Sequence, residues 1–152
     1  MNRVEKLKDL IQKVEAWAGE RNLLKFENSD KQYLKFLEET GELARAILKN
    51  DVPEIVDSFG DSLVTIIILA KQLGNPLDVN ISSDLNIIFG KISPYDFVNL
   101  VSPNYVAKEV IDVMNEVVQS YGYDLVECLE VAYNVISKRT GVTKGGIYIK
   151  DN

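Results

Sequence analysis

Val52-Pro53-Glu54-Ile55-Val56-Asp57-Ser58-Phe59-Gly60-Asp61-Ser62-Leu63-Val64-Thr65-Ile66-Ile67-Ile68-Leu69-Ala70 is the stretch that decides the fold. Asp51 is placed to cap a helix here, and Pro53 is tolerated in a first turn, where its missing N–H costs nothing. Gly74 and Pro76 stop the helix near Leu73. At about 100° per residue, Glu54, Asp57 and Asp61 share one narrow face. Ile55, Val56, Phe59, Leu63, Ile66, Ile67 and Ala70 cover nearly all the rest of the surface. A helix that is apolar on most sides is a central one. Acids embedded in it are expensive to bury without a partner, and a cation is one such partner.

The preceding segment supplies a second acidic group, Glu38-Glu39-Thr40-Gly41-Glu42. Ser29 or Asp30 can cap a helix that runs to Lys49. Leu34, Leu37, Ala44 and Leu48 fall on one side of it, with Phe36, Thr40, Leu43 and Ile47 beside them. Glu39 and Glu42 fall opposite, about 60° apart, with Lys35 and Ala46 between them. The short connection at residues 50–52 returns the next helix antiparallel, because loops of this length join adjacent helices. The two acidic faces are then expected to meet. Carboxylates crowded in this way repel unless they are protonated or bridged by cations.

The rest of the chain fits an all-α bundle. Val4, Leu7, Leu10, Ile11, Val14 and Trp17 form the buried stripe of a first helix over about residues 2–19. A loop then runs through Asn28. A fourth helix is expected from Tyr105 to Tyr121, ended by Gly122. A fifth is expected from Asp124, a good cap, to Arg139, closed by Gly141. The tail from Val142 to Lys150 holds Gly145-Gly146 between short runs and predicts a small hairpin. Asp84–Phe89 reads as a short helix or strand within a middle segment punctuated by Ser93-Pro94 and Ser102-Pro103. The 152 residues are expected to form a single domain, with 75–120 as an extended middle segment.

Composition narrows the chemistry. The net charge is −6, which opposes binding to a nucleic-acid polymer, since that needs a basic face. A nucleotide substrate is compatible, because a metal can screen its phosphates. There is no histidine, so a metal site here rests on oxygen donors, favouring Mg²⁺, Mn²⁺ or Ca²⁺ over zinc. One cysteine, Cys128, permits no intrachain disulfide and fits a cytoplasmic setting. It lies on an apolar stripe with Leu125, Leu129 and Ala132 and reads as buried. No apolar run is long enough to span a membrane.

Several segments together resemble the MazG-type nucleotide pyrophosphohydrolases, most closely the short MazG-like proteins of Gram-positive bacteria and their phages. They are Trp17-Ala18-Gly19-Glu20-Arg21-Asn22-Leu23, Lys35-Phe36-Leu37-Glu38-Glu39-Thr40-Gly41-Glu42-Leu43-Ala44 and Asp57-Ser58-Phe59-Gly60-Asp61-Ser62-Leu63-Val64, followed by Glu127 to Gly141 and Gly145 to Lys150. The resemblance implies the all-α NTP pyrophosphatase fold and packing of helices from two subunits, as a homodimer or homotetramer. It also implies Mg²⁺-dependent hydrolysis of a nucleoside triphosphate to monophosphate and pyrophosphate, a nucleotide-pool housecleaning activity.

The family motif pairs Glu-Glu-x-x-Glu with Glu-x-x-Asp. Glu38, Glu39 and Glu42 match its first part, with Glu39 and Glu42 as metal ligands and Glu38 or Glu39 serving the attacking water. Asp61 matches the end of the second part, but Ser58 stands where the family has an acid. Glu54 and Asp57 are then alternative further ligands, and an i,i+4 Asp57/Asp61 pair faces the same way as an i,i+3 pair. Trp17, Lys35, Arg21, Asn134, Lys138 and Arg139, with Lys150, are the implied substrate contacts. For Trp17 core packing is the competing role, and for Lys35 it is neutralisation of the acids. The alternative to an enzyme is a helical interaction module whose acidic pocket binds metal or nucleotide without turnover.

Overall fold

The computed structural model describes residues 2–74, 76–77 and 115–152. Helix α1 spans Arg3–Glu20, α2 Ser29–Leu48, α3 Val52–Gln72 and α4 Leu125–Ile136; strands β1 (Gly141–Lys144) and β2 (Ile147–Lys150) follow. Residues 115–120 are also helical and end in a turn at Tyr121–Gly122. The predicted Asp84–Phe89 element and most of the predicted Tyr105–Tyr121 helix lie outside the described residues.

α3 is the axis of the bundle. It packs against α1, α2 and α4, and its apolar residues from Ile55 to Ala70 are buried. Its N-terminus is capped as the sequence predicts: the Asp51 carboxylate accepts from the Glu54 N–H, with proline in the first turn. α1 adds a device the spacing alone did not suggest. Asn2 and Glu5 form a reciprocal capping box, each side chain accepting from the other's backbone N–H.

α2 and α3 are antiparallel neighbours. Their ends meet at the Lys49–Asp51 connection, where Asn50 takes a left-handed φ of 53° and its Oδ1 accepts a 2.7 Å bond from the Tyr121 hydroxyl. At the far end of the pair, the Gln32 side chain donates to the Thr65 carbonyl. α3 meets α4 at Gly60. A Cβ there would run into the Cys128 carbonyl oxygen and lie 2.8 Å from Ala132 Cβ, so only glycine allows the two backbones to approach this closely.

Some expectations change in detail. α2 begins at Asn28 without a side-chain cap bond, not at a Ser29 or Asp30 cap, because the Asn28 side chain lies against Gly146 of the hairpin turn. α4 ends at Ile136, leaving Arg139 outside the helix, and Gly141 opens β1 instead of closing the helix. The buried face of α2 consists of Phe36, Glu39, Thr40, Leu43 and Ala46, while Leu34, Leu37 and Leu48 are exposed. The two halves of the predicted apolar side therefore point different ways, one into the bundle and one outward.

The hairpin pairs Val142 with Ile149 and Thr143 with Tyr148. It docks on the end of α1. Tyr148 meets Trp17 edge-to-face at 5.2 Å between ring centroids, and the Arg21 guanidinium lies 4.4 Å from the Trp17 ring. Thr143 donates to the Arg21 carbonyl at 2.7 Å, and Lys31 on α2 donates to the Gly145 carbonyl.

Candidate acidic site between α2 and α3

The predicted acids gather along the seam between α2 and α3. Glu39 points inward and is only 8% exposed. Its Oε1 pairs with Lys35 Nζ at 3.3 Å, while its Oε2 is buried with no hydrogen-bond partner. Lys35 also reaches Glu38 Oε2 at 3.2 Å, and Glu38 is itself exposed. Burial raises the Glu39 pKa, and repulsion from Glu42 and Glu38 adds to the rise against the opposing pull of Lys35. For Lys35, burial alone lowers the pKa, but attraction to Glu39 and Glu38 outweighs it and leaves the pKa raised.

Asp61 is the most perturbed acid on α3. Its pKa is pushed up to about 7, first by burial and then by the neighbouring charges of Asp57, Glu39 and Glu42, with Arg139 pulling the other way. The charges that act on Asp61 thus come from both helices: Glu39 and Glu42 on α2, Asp57 on α3, and Arg139 from the segment after α4. Glu54 stands one turn earlier on α3 and accepts a 3.2 Å hydrogen bond from the Ser58 hydroxyl. Ser58 is fully buried. The position where the resemblance expects an acid thus holds a hydroxyl that steadies the neighbouring carboxylate.

Two observations bear on whether this seam suits a divalent cation. The donors are all carboxylate oxygens, as a hard cation requires, and the buried, unpartnered Glu39 Oε2 is costly to leave without a counterpart. Among the described residues, however, no three acids converge into a ready-made ligand cluster. The donor set fits in chemistry and charge, and closing it around an ion requires side-chain movement.

The remaining predicted contacts are distributed unevenly. The Arg139 charge lowers the Asp61 pKa, and the Arg139 carbonyl accepts from Arg21 Nη2 at 3.4 Å. Arg21 itself is spent on the Trp17 carbonyl and on the Trp17 and Tyr148 rings. Trp17 is buried, and its indole N–H donates to the Ile136 carbonyl at 3.0 Å. The structure thus gives Trp17 and Arg21 the work of tying α1, α4 and the hairpin together. Lys138 is exposed. Asn134 lines a separate cleft between α1 and α4 with Lys6, Asp9, Lys13, Glu130 and Tyr133. Cys128 is buried, and burial pushes its thiol up to about 12, which keeps it protonated.

Sequence reasoning placed Leu34, Leu37, Ala44 and Leu48 on one side of α2 but not that this side faces outward. Leu34, Leu37, Gly41, Ala44 and Leu48 are all exposed and recur at alternating three- and four-residue steps. That is the spacing of a helix–helix seam.

Residues 28–94 match the model of the MazG nucleotide pyrophosphohydrolase domain. Over 66 residues the chain is 46% identical to an uncharacterized 18.2 kDa protein in the rep-hol intergenic region of Haemophilus phage HP1 (strain HP1c1). The alignment spans 43% of this chain and 40% of that protein. No solved structure matches the chain. The matched stretch contains every acid of the α2–α3 seam, and the chain is MazG-like across it.

Proposed function

We propose that this protein hydrolyses a nucleoside triphosphate to the monophosphate and pyrophosphate in the cytoplasm, as nucleotide-pool housecleaning, using Mg²⁺ or Mn²⁺ at the α2–α3 seam. The observation that carries the proposal is the buried, unpartnered Glu39 oxygen beside an Asp61 crowded by Asp57, Glu39 and Glu42. Glu39, Glu42, Asp61 and either Asp57 or Glu54 would hold the cation. When bound, it would screen triphosphate charge and polarise phosphoryl oxygens. Glu38 is exposed at the edge of the seam and paired with the half-exposed Lys35, so it is accessible to orient or deprotonate the attacking water. Arg139, beside Asp61, is placed to meet phosphate oxygens.

The test is pyrophosphate release from a panel of nucleoside triphosphates with Mg²⁺, Mn²⁺ or EDTA. Glu42→Gln and Asp61→Asn keep side-chain size and remove charge. Each should lower turnover at least about 10²-fold with the fold intact. The second reading is a module that binds metal or nucleotide without turnover. Binding of a triphosphate with no pyrophosphate released from any member of the panel would select it.

The same proposal includes self-association. The apolar surface of α3 is covered within the chain. The open apolar face is instead on α2, where Leu34 is 63% and Leu48 84% exposed. A second copy of α2 is its proposed partner. The small residues Gly41 and Ala44 in mid-stripe would let two such helices approach closely.

A further inference from the structure

We propose that Lys35 holds the cation's place on Glu39 in the metal-free protein and is expelled when a divalent cation binds, which delivers its ammonium to the substrate's phosphates. The inference rests on the metal-dependent reading above. Three features of the seam carry it. Lys35 Nζ bridges Glu38 at 3.2 Å and Glu39 at 3.3 Å, so one ammonium neutralises both acids of the Glu38–Glu39 pair. Its partner Glu39 is buried, with an 11% exposed side chain and an unpartnered second oxygen, so removing the ammonium without replacement would strand a charge inside the protein. Lys35 itself is 48% exposed and sits on a flexible stem, so it can leave toward solvent without disturbing the bundle.

Carboxylate oxygens cannot serve an ammonium and a directly coordinated cation equally. A hard divalent ion binds carboxylate oxygen at about 2.0–2.6 Å, closer than the Lys35 contacts, and its double charge repels the ammonium. Metal entry at Glu39 and retention of the Lys35 pair therefore compete. The ammonium freed by the exchange stands beside the seam where a triphosphate would lie. Glu42 and Asp57 also act electrostatically on Asp61, and Arg139 pulls the other way. Of the two cations, Lys35 is the one in a direct ion pair with a carboxylate that the metal takes, at 3.3 Å from Glu39.

The experiment uses the full chain. Free Mn²⁺ is followed by its paramagnetic resonance signal to obtain affinity for the wild type, Lys35→Met and Lys35→Arg. Lysine side-chain ¹³Cε resonances are followed in parallel, with Lys35 assigned by its absence in Lys35→Met and Mg²⁺ as the diamagnetic titrant. Removing the competitor in Lys35→Met should tighten Mn²⁺ binding about tenfold and raise KM for the triphosphate. Lys35→Arg should weaken Mn²⁺ binding, because a guanidinium fork grips carboxylates more firmly. The Lys35 resonance should shift in step with Mg²⁺ occupancy. If the wild type binds the metal while the Lys35 resonance does not move, the exchange is overturned and the metal-dependent hydrolase reading stands. A Lys35→Met affinity within about twofold of wild type has the same meaning. If the wild type binds no Mn²⁺, both are overturned together.

Discussion

Helices α2 and α3 lie side by side with nearly equal lengths, 20 and 21 residues, and each carries acids toward the other. They differ in what surrounds them. α3 is enclosed by three helices, and at Gly60 it has no room for a methyl group. α2 is enclosed on one face only, and at Gly41 a Cβ would meet nothing within 4 Å. The comparison teaches that the seam has one wall packed on three sides, the more rigid, and one wall packed on fewer sides among the described residues, the more adjustable. The α3 acids are held by a packed core, whereas the α2 acids stand on a helix whose outer face is open. If the seam closes on an ion as proposed, the more open side is the one expected to move.

The largest expected effect tests the rigid wall. Gly60→Val should cost about 3 kcal/mol or more, because the clash is with the Cys128 backbone and the Ala132 side chain rather than with a flexible tip. Chemical denaturation measures it, and a loss below about 1 kcal/mol would show that α4 can retreat from α3.

The adjustable wall is tested next. Leu37→Lys together with Leu48→Lys places charge on the open face of α2 and should convert a dimer into a species near 17.1 kDa. Melting at fixed low concentration should change little, since neither residue is in the core of one chain. Light scattering decides: a wild-type mass near 17.1 kDa at micromolar concentration would remove the interface altogether.

The electrostatic difference between the walls gives a pH signature. The folded-state pKa of Asp61 is about 7, above its ordinary 3.8, so the native state holds a proton that the unfolded chain releases. Between these values the folded protein binds more protons than the unfolded one. Stability therefore falls as pH rises from about 4 to about 7 and levels off above that. In metal-free buffer the melting temperature should decline across this window. Asp61→Asn should flatten the decline and melt higher than wild type at pH 8. Equal slopes for the two proteins would show that Asp61 ionises freely in the folded state.

The smallest expected effect is a gain. Gly41→Ala on the exposed side of α2 should stabilise the single chain by about 0.5–1 kcal/mol, through lower entropy of the unfolded state. It should also weaken self-association if α2 helices approach closely at Gly41. Melting over a range of protein concentrations separates the two effects.

Much of the architecture was legible in the residues. Asp51, Pro53 and Gly74 bracket α3, and Asp124 starts α4, because caps and breakers act through the local backbone. Gly145-Gly146 marks the hairpin turn for the same reason, with both residues at positive φ. The orientation of α2 was only half legible. Apolar residues occupy more than half of its circumference, and periodicity cannot say which part faces the bundle. Leu43 and Phe36 went inward; Leu34, Leu37 and Leu48 did not. The double role open to Trp17 could not be resolved either, since its partners Ile136 and Tyr148 are distant in sequence.

By itself the sequence determined the helical periods, the central place of α3, an oxygen-only donor set and the spacing that puts each helix's acids on one face. These are short-range properties, settled within a few residues of chain. Only the tertiary structure decided that Glu39 is buried with one oxygen unpartnered, that Lys35 bridges its neighbours, that Ser58 steadies Glu54, and that the charge of Arg139, far along the chain, acts on Asp61. Burial and charge proximity depend on which surfaces meet across the bundle, and packing of distant segments sets that.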